Sequence, residues 1–125
     1  MPCWELDPDV WFDDSLAAFA IYLCDMCPAA QGCRELGERE ECGVWGGTTP
    51  EMRGYGRMDS GRRDRENKVR WQLAERDIIV ARHEARRSIR ETAKIVGVSA
   101  TKVRDTMVKV QPVLDQIPGR LIPAA

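Results

Sequence analysis

Five cysteines fall among the first 42 residues and none among the 83 that follow. Cys3, Cys24, Cys27 and Cys33 read C-x20-C-x2-C-x5-C, with Cys42 standing apart. This distribution constrains the fold more than any other feature. Up to Pro50 the chain offers a modest apolar set: Leu6, Val10, Trp11, Phe12, Leu16, Phe19, Ile21, Leu23, Leu36, Val44 and Trp45. Pieces of about 40–50 residues or fewer usually need a metal, disulfides or a partner to stay folded. The N-terminus, Met1-Pro2-Cys3-Trp4, lacks the basic start and apolar core of a signal peptide, which predicts a cytoplasmic setting where thiols stay reduced. An odd number of cysteines also fits a disulfide framework poorly. A metal centre is therefore expected.

Local pattern brings three of the four cysteines together. Asp14-Ser15 reads as a helix cap, after which Leu16, Phe19, Ala20, Leu23 and Cys27 recur at three- and four-residue steps. Cys24 and Cys27 then share a helix face or its last turn. Pro28 suits the start of a second helix carrying Cys33, and Cys3 must return from the N-terminus to complete the set. Four thiolates suit either zinc or an iron–sulfur cluster. The absence of a second close cysteine pair leans toward iron–sulfur. A thioredoxin-type redox pair at Cys24 and Cys27, the mark of a thiol–disulfide oxidoreductase, would need a βαβ context, and no strand pattern surrounds them.

Net charge is −1 overall, but it is unevenly spread. Through Pro50, ten acids face two bases, leaving −8, whereas the remainder holds 17 bases and 10 acids, or +7. Such asymmetry points to a basic half that meets nucleic acid. At 43% hydrophobic and 31% charged residues the composition is globular, and no apolar run is long enough to span a bilayer. The expected organisation is all-α: a cysteine domain over 1–53, a basic Gly/Arg linker over 54–65, a helical domain over 66–111, and a loosely packed Pro-containing tail over 112–125.

The cysteine half carries a specific pattern. Cys3 is followed by Asp7-Pro8-Asp9-Val10-Trp11-Phe12, Cys24-Asp25-Met26-Cys27-Pro28, Cys33, Gly43-Val44-Trp45-Gly46-Gly47 and Thr49-Pro50-Glu51-Met52-Arg53. In this order the segments resemble the WhiB-like (Wbl) family of actinobacteria and their phages, over about residues 3–53. The resemblance implies a helical domain holding a [4Fe-4S] cluster on Cys3, Cys24, Cys27 and Cys33 that responds to nitric oxide or oxygen. It also implies docking on the C-terminal domain of the primary sigma factor of RNA polymerase, through Trp11, Phe12 and Trp45. Gly43, Gly46 and Gly47 would set the Trp45 turn, since glycine tolerates positive φ. Trp45 and Phe12 could equally shield the cluster from solvent, and the two roles are compatible. Cys42 is a fifth cysteine outside these four, expected to be a small buried or half-exposed residue, with a redox partner or spare ligand as the alternative.

The basic half reads as a helix-turn-helix. Arg53, Arg57, Arg62, Arg63 and Arg65 among glycines suggest a solvated linker that touches phosphates. From about Asp64, Trp71, Ala74, Ile78, Ala81 and Ala85 form one helical stripe. Ser88 and Glu91 make a capping box for a short helix with Ile89, Ala93 and Val96 inward, ended by Gly97. Ser99 caps the next helix, with Ala100, Val103, Met107 and Val110 inward. The outward residues suit DNA: Thr101 and Arg104 for bases, Lys102 and Lys94 for phosphates, with Arg90 adding positive charge at the preceding corner. His83 is expected at the surface. These features predict a non-enzymatic transcription regulator with DNA and a sigma factor as partners and neither a membrane nor a small-molecule substrate among them. A constitutive zinc-binding DNA adaptor is the alternative.

Overall fold

The computed structural model describes residues 6–55 and 62–117. Among these residues lie five α-helices: α1 (Ala17–Asp25), α2 (Ala30–Leu36), α3 (Arg62–Ile79), α4 (Ile89–Val96) and α5 (Ala100–Leu114). Two 3-10 turns, Pro8–Trp11 and Asp14–Leu16, precede α1, and a π-helical turn, Val80–Glu84, extends α3. No strand forms among the described residues beyond an isolated bridge between Trp45 and Thr48, so the fold is all-α, as expected.

Helix α1 is the centre of the molecule. Its approach is set by Asp13, one residue earlier than the expected cap, whose carboxylate accepts from the Ser15 backbone N–H at 3.0 Å and its hydroxyl at 2.7 Å. Every residue from Ala17 to Leu23 is buried, so the expected single stripe is too narrow. A helix that is apolar all round must be wrapped all round. Helix α3 packs along it, the 3-10 turns flank it, and α5, packed on α3 and on the second of those turns, joins the same core. The resulting core joins Leu6, Val10, Phe19, Tyr22 and Leu23 to Ile79, Val110, Leu114 and Ile117. The division by charge is thus not a division of cores.

Polar contacts cross the same boundary. Arg76 pairs with Asp25 at 2.8 Å, and Lys68 with Asp14 at 2.9 Å and Glu51 at 3.3 Å. The buried Thr49 hydroxyl donates to Gln72 Oε1 at 2.9 Å, while Gln72 Nε2 donates to Glu51. Burial opposes the charge on Lys68, but the carboxylates of Asp14 and Glu51 outweigh it and hold the ammonium above its ordinary value.

Packing against α1 also rotates α3 away from the expected stripe. Ile78 and Ala81 are buried, but so are Gln72 and Ile79, whereas Trp71 is 51% exposed and Ala85 lies in solvent. The wider π turn after Ile79 breaks the α-helical period there, which carries Ala85 off the buried face. The same turn brings His83 inward, contrary to its expected surface place. Its ring meets Tyr22 edge-on at 6.3 Å, and its Nε2 is buried without a partner.

The C-terminal helices follow the sequence more closely. Ser88 Oγ and Ser99 Oγ accept from the amides of Glu91 and Lys102, each at 3.1 Å. Gly97, at φ 82° and ψ 37°, ends α4 in the left-handed conformation that glycine adopts without strain. Val103 and Val110 are buried and Ile89, Ala93, Val96, Ala100 and Met107 half-buried. Thr92 and Thr106 are also fully buried, which their polar type conceals. The tail expected from Pro112 onward is instead partly built into the fold. Helix α5 runs through Pro112 to Leu114, and Leu114 and Ile117 join the core. Burying two such side chains gains about 3–6 kcal/mol, against about 3 kcal/mol for a proline inside a helix. The expected linker also loses its last residues, because α3 begins at Arg62. Residues 56–61, including Arg57, and the tail from 118 lie outside the described residues.

Candidate metal centre

The centre is built from the end of α1 and from α2. Cys24 occupies the last turn of α1, and the Cys27 amide donates back to the Cys24 carbonyl at 3.0 Å, closing a tight turn. Pro28 and Ala29 lead into α2, which begins at Ala30 and carries Cys33. All three cysteines are half-buried and line one cavity of about 280 Å³. Its other walls are apolar: Leu23, Ala29, Ala30 and Val44, with the aromatic rings of Trp11, Phe12 and Trp45. Among the described residues no three His, Cys, Asp or Glu side chains converge to hold a single ion. Cys3 lies outside the described residues. Cys42 is exposed, against the expectation of a buried or half-exposed place, and is not among the residues lining the cavity.

The glycine turn forms the lid. Trp45 and Thr48 exchange backbone hydrogen bonds at 3.0 Å in both directions, and Trp45 Nε1 donates to the Cys42 carbonyl at 3.0 Å. Gly43, Gly46 and Gly47 all have positive φ, as anticipated. Space constrains them as well: a Cβ on Gly46 would stand 2.2 Å from the Ala30 carbonyl oxygen, and one on Gly43 2.8 Å from the Phe12 ring. The Val44 amide donates to the Trp11 carbonyl at 2.8 Å, drawing Trp11 and Phe12 to the same rim. Phe12 is 61% exposed, while Trp11 and Trp45 are half-buried.

Three contributors escaped the sequence reading. Arg34 of α2 donates through Nε and Nη2 to the Gly46 carbonyl, at 3.2 and 3.1 Å. Arg53, read as the start of a phosphate-touching linker, turns inward. Its guanidinium donates to the carbonyls of Glu40, Gly43 and Thr48, and burial lowers its pKa from the ordinary value. Gly37 lies so close beneath Trp45 that any Cβ would overlap the indole. The signal for Arg53 was its place directly after Thr49-Pro50-Glu51-Met52; for Arg34 and Gly37 the sequence carries none that local rules could detect.

Residues 1–55 match the family model described as transcription factor WhiB. These residues belong to the WhiB family. Across 51 residues the chain is 41% identical to the "probable transcriptional regulator WhiB7" of Mycobacterium tuberculosis, found alike in two strains. That alignment covers 38% of this chain and 55% of the relative, so the chain spans about half the length of the curated relatives it matches. No solved structure matches. The WhiB match thus ends where the glycine turn and its Arg53 latch end.

Beyond the WhiB region, α4 and α5 meet at the short turn Gly97-Val98-Ser99. Arg90, Lys94, Thr101 and Arg104 are exposed on these helices. Lys102 is placed differently. It is 30% exposed, pairs with Glu75 at 2.6 Å and lies over the Trp71 ring at 5.0 Å, so it braces α5 on α3. Lys109 reaches the same Glu75 carboxylate at 3.0 Å. No helix among the described residues is long and apolar enough to cross a membrane.

Proposed function

We propose that this chain is a cytoplasmic, non-enzymatic transcription regulator whose WhiB domain holds a [4Fe-4S] cluster and whose C-terminal helices bind promoter DNA. The observation that carries the first part is the shared cavity of Cys24, Cys27 and Cys33. Three thiols along one apolar, ring-walled space suit a cluster, which needs several cysteine ligands and protection from water. Cys3 would be the fourth ligand. When bound, such a cluster supplies one-electron chemistry and a target for nitric oxide or oxygen. The chain's own part is to present thiolates, exclude solvent through Trp11 and Trp45, and hold the glycine lid with Arg34 and Arg53.

The sigma-factor reading is supported by the half-exposed rim of Trp11, Phe12 and Trp45, since aromatic anchors dominate interface energies. The DNA reading is supported by the short-turn pair α4–α5 with Arg90, Lys94, Thr101 and Arg104 outward. Lys102, engaged by Glu75, is a bracing residue in this reading and contributes less to phosphate binding than its sequence position suggests.

The shared core changes how a switch would act. Cys24 ends α1, and α1 is buried against α3 and beside α5. Loss of the cluster would therefore loosen the C-terminal helices directly, in addition to altering a sigma contact.

Anaerobic purification with iron, acid-labile sulfide and zinc analysis tests the centre. Four irons and four sulfides per chain, lost in Cys24→Ala, are expected. One zinc and no colour would replace this reading by the zinc-adaptor alternative. Hydrogen exchange of Val103 to Val110 before and after cluster removal tests the coupling; unchanged protection would refute it.

A further inference from the structure

A second cavity lies outside the metal centre, between the π turn and the starts of α4 and α5. This open groove of about 550 Å³ is lined by Arg82, Arg90 and Arg104, with Ser88, Ala93 and Ala100 among its remaining walls. Each arginine comes from a different element: Arg82 from the π turn, Arg90 from the first turn of α4, Arg104 from the second turn of α5. None has a carboxylate partner among the described residues, and the nearby Glu91 is turned to Arg87 at 3.5 Å. Three unpaired guanidiniums around one groove repel each other, and an anion placed among them relieves that repulsion.

Arg82 is the unusual member. Its Nη1 donates to the Arg87 carbonyl at 2.6 Å, while its Nε is buried without a partner. The corner that holds it is tightly built. The Arg87 amide donates to the Ala81 carbonyl at 2.9 Å, and Arg86 adopts φ 55°, which is uncommon for a residue other than glycine. Spending a π turn and a left-handed arginine on one short corner is consistent with a site whose geometry matters.

We propose that this groove clamps a backbone phosphodiester of DNA, with Arg82 as a positioning residue that sets how α5 enters the major groove. The proposal rests on the DNA-binding reading above, adds Arg82 to it, and assigns Arg104, read there as a base contact, to the phosphate instead. A planar fork suits two phosphate oxygens, and phosphate contacts fix register without reading sequence. Arg82 therefore governs affinity and orientation, while Thr101 governs sequence preference.

The test uses the full, cluster-loaded chain and fluorescence anisotropy against several short duplexes of different sequence over a range of salt. Arg82→Gln is expected to weaken binding about tenfold on every duplex and to reduce the slope of log affinity against log salt by about one. Arg82→Lys, which keeps the charge and loses the fork, should recover the slope and only part of the affinity. Thr101→Ala should weaken some sequences and spare others. Should Arg82→Gln lower the melting temperature, Arg90→Gln carries the same test from α4. If wild-type protein binds duplexes while Arg82→Gln and Arg90→Gln leave affinity and slope unchanged, the clamp is wrong and the DNA reading survives. If wild-type protein binds no duplex, both fail. Competition by polyglutamate as strong, charge for charge, as by duplex would overturn the clamp in favour of an acidic protein surface.

Discussion

The cysteine region and the C-terminal helices are stabilised in different ways. Around the candidate metal centre, regular structure is short: α2 spans Ala30–Leu36, and the glycine turn has a single bridge. Order there comes from guanidiniums bonded to backbone carbonyls and from glycines that permit close approach. In the C-terminal region, capped helices bury aliphatic faces, and Lys102 and Lys109 brace α5 on α3 through Glu75. Helix α1 serves both, bearing Cys24 at its end and Phe19 and Tyr22 in the common core. The contrast teaches that short, irregular segments can be held by polar latches where a neighbouring apolar helix, here α1, anchors them to a common core.

The largest expected effect removes that common support. Phe19→Ala opens a cavity at a fully buried site and should cost about 3–5 kcal/mol. Calorimetry should show one transition, lowered for both regions together. Two transitions, only one of them shifted, would break the comparison by making the regions independent.

Next comes the latch. Arg53→Met leaves the carbonyls of Glu40, Gly43 and Thr48 without their charged donor, at about 2 kcal/mol. Iron retention and Trp45 fluorescence should change while the hydrogen-exchange protection of α4 stays near wild type. Equal loss in both regions would mean that the latch acts through the core.

Alkaline titration distinguishes the regions less strongly. Burial first, and the negative charge of Glu84 second, hold the Tyr22 hydroxyl above the ordinary tyrosine value. The unfolded chain ionises Tyr22 near pH 10 while the folded chain keeps it neutral, so the unfolded state binds fewer protons and stability falls as pH rises above about 10. Lys68 acts with the same sign, because its folded pKa is raised and its stabilisation is lost as pH climbs through it. Tyr22→Phe should flatten the decline above pH 10. At pH 7 it should change stability by about 1 kcal/mol or less, since the nearby Glu84 carboxylate makes no hydrogen bond of ordinary geometry with the hydroxyl. A decline equally steep in Tyr22→Phe would assign it to other groups.

The smallest effect lies in the surface pairs that cross the charge boundary. Arg76→Met, which removes the pair with the half-exposed Asp25, should cost about 1 kcal/mol or less and should shrink further in high salt. A cost several times larger in urea unfolding would show that charge, and not burial, joins the regions.

Much of this arrangement was legible from the chain alone wherever the interaction is local. The caps at Ser88 and Ser99, the stop at Gly97, the helix carrying Cys33 and the positive φ of the Trp45 turn all depend on residues within about four positions of one another. Hydrogen bonds and steric limits at that range act whatever the rest of the chain does. The cysteine order and the flanking aromatic and glycine segments likewise identified the WhiB region.

Tertiary structure alone decided what faces what. Tyr22 meets His83, Thr49 bonds Gln72, and Gly37 lies under Trp45 across separations that periodicity cannot report. Lys102 has the composition of an outward DNA contact, yet Glu75 and Trp71 draw it inward. Leu114 and Ile117 look like tail residues until the exposed end of the core is seen to need them. Local sequence determined which helices form and where they stop. Their relative rotation followed from covering the all-apolar helix α1 on every side, and that requirement involves the whole chain at once.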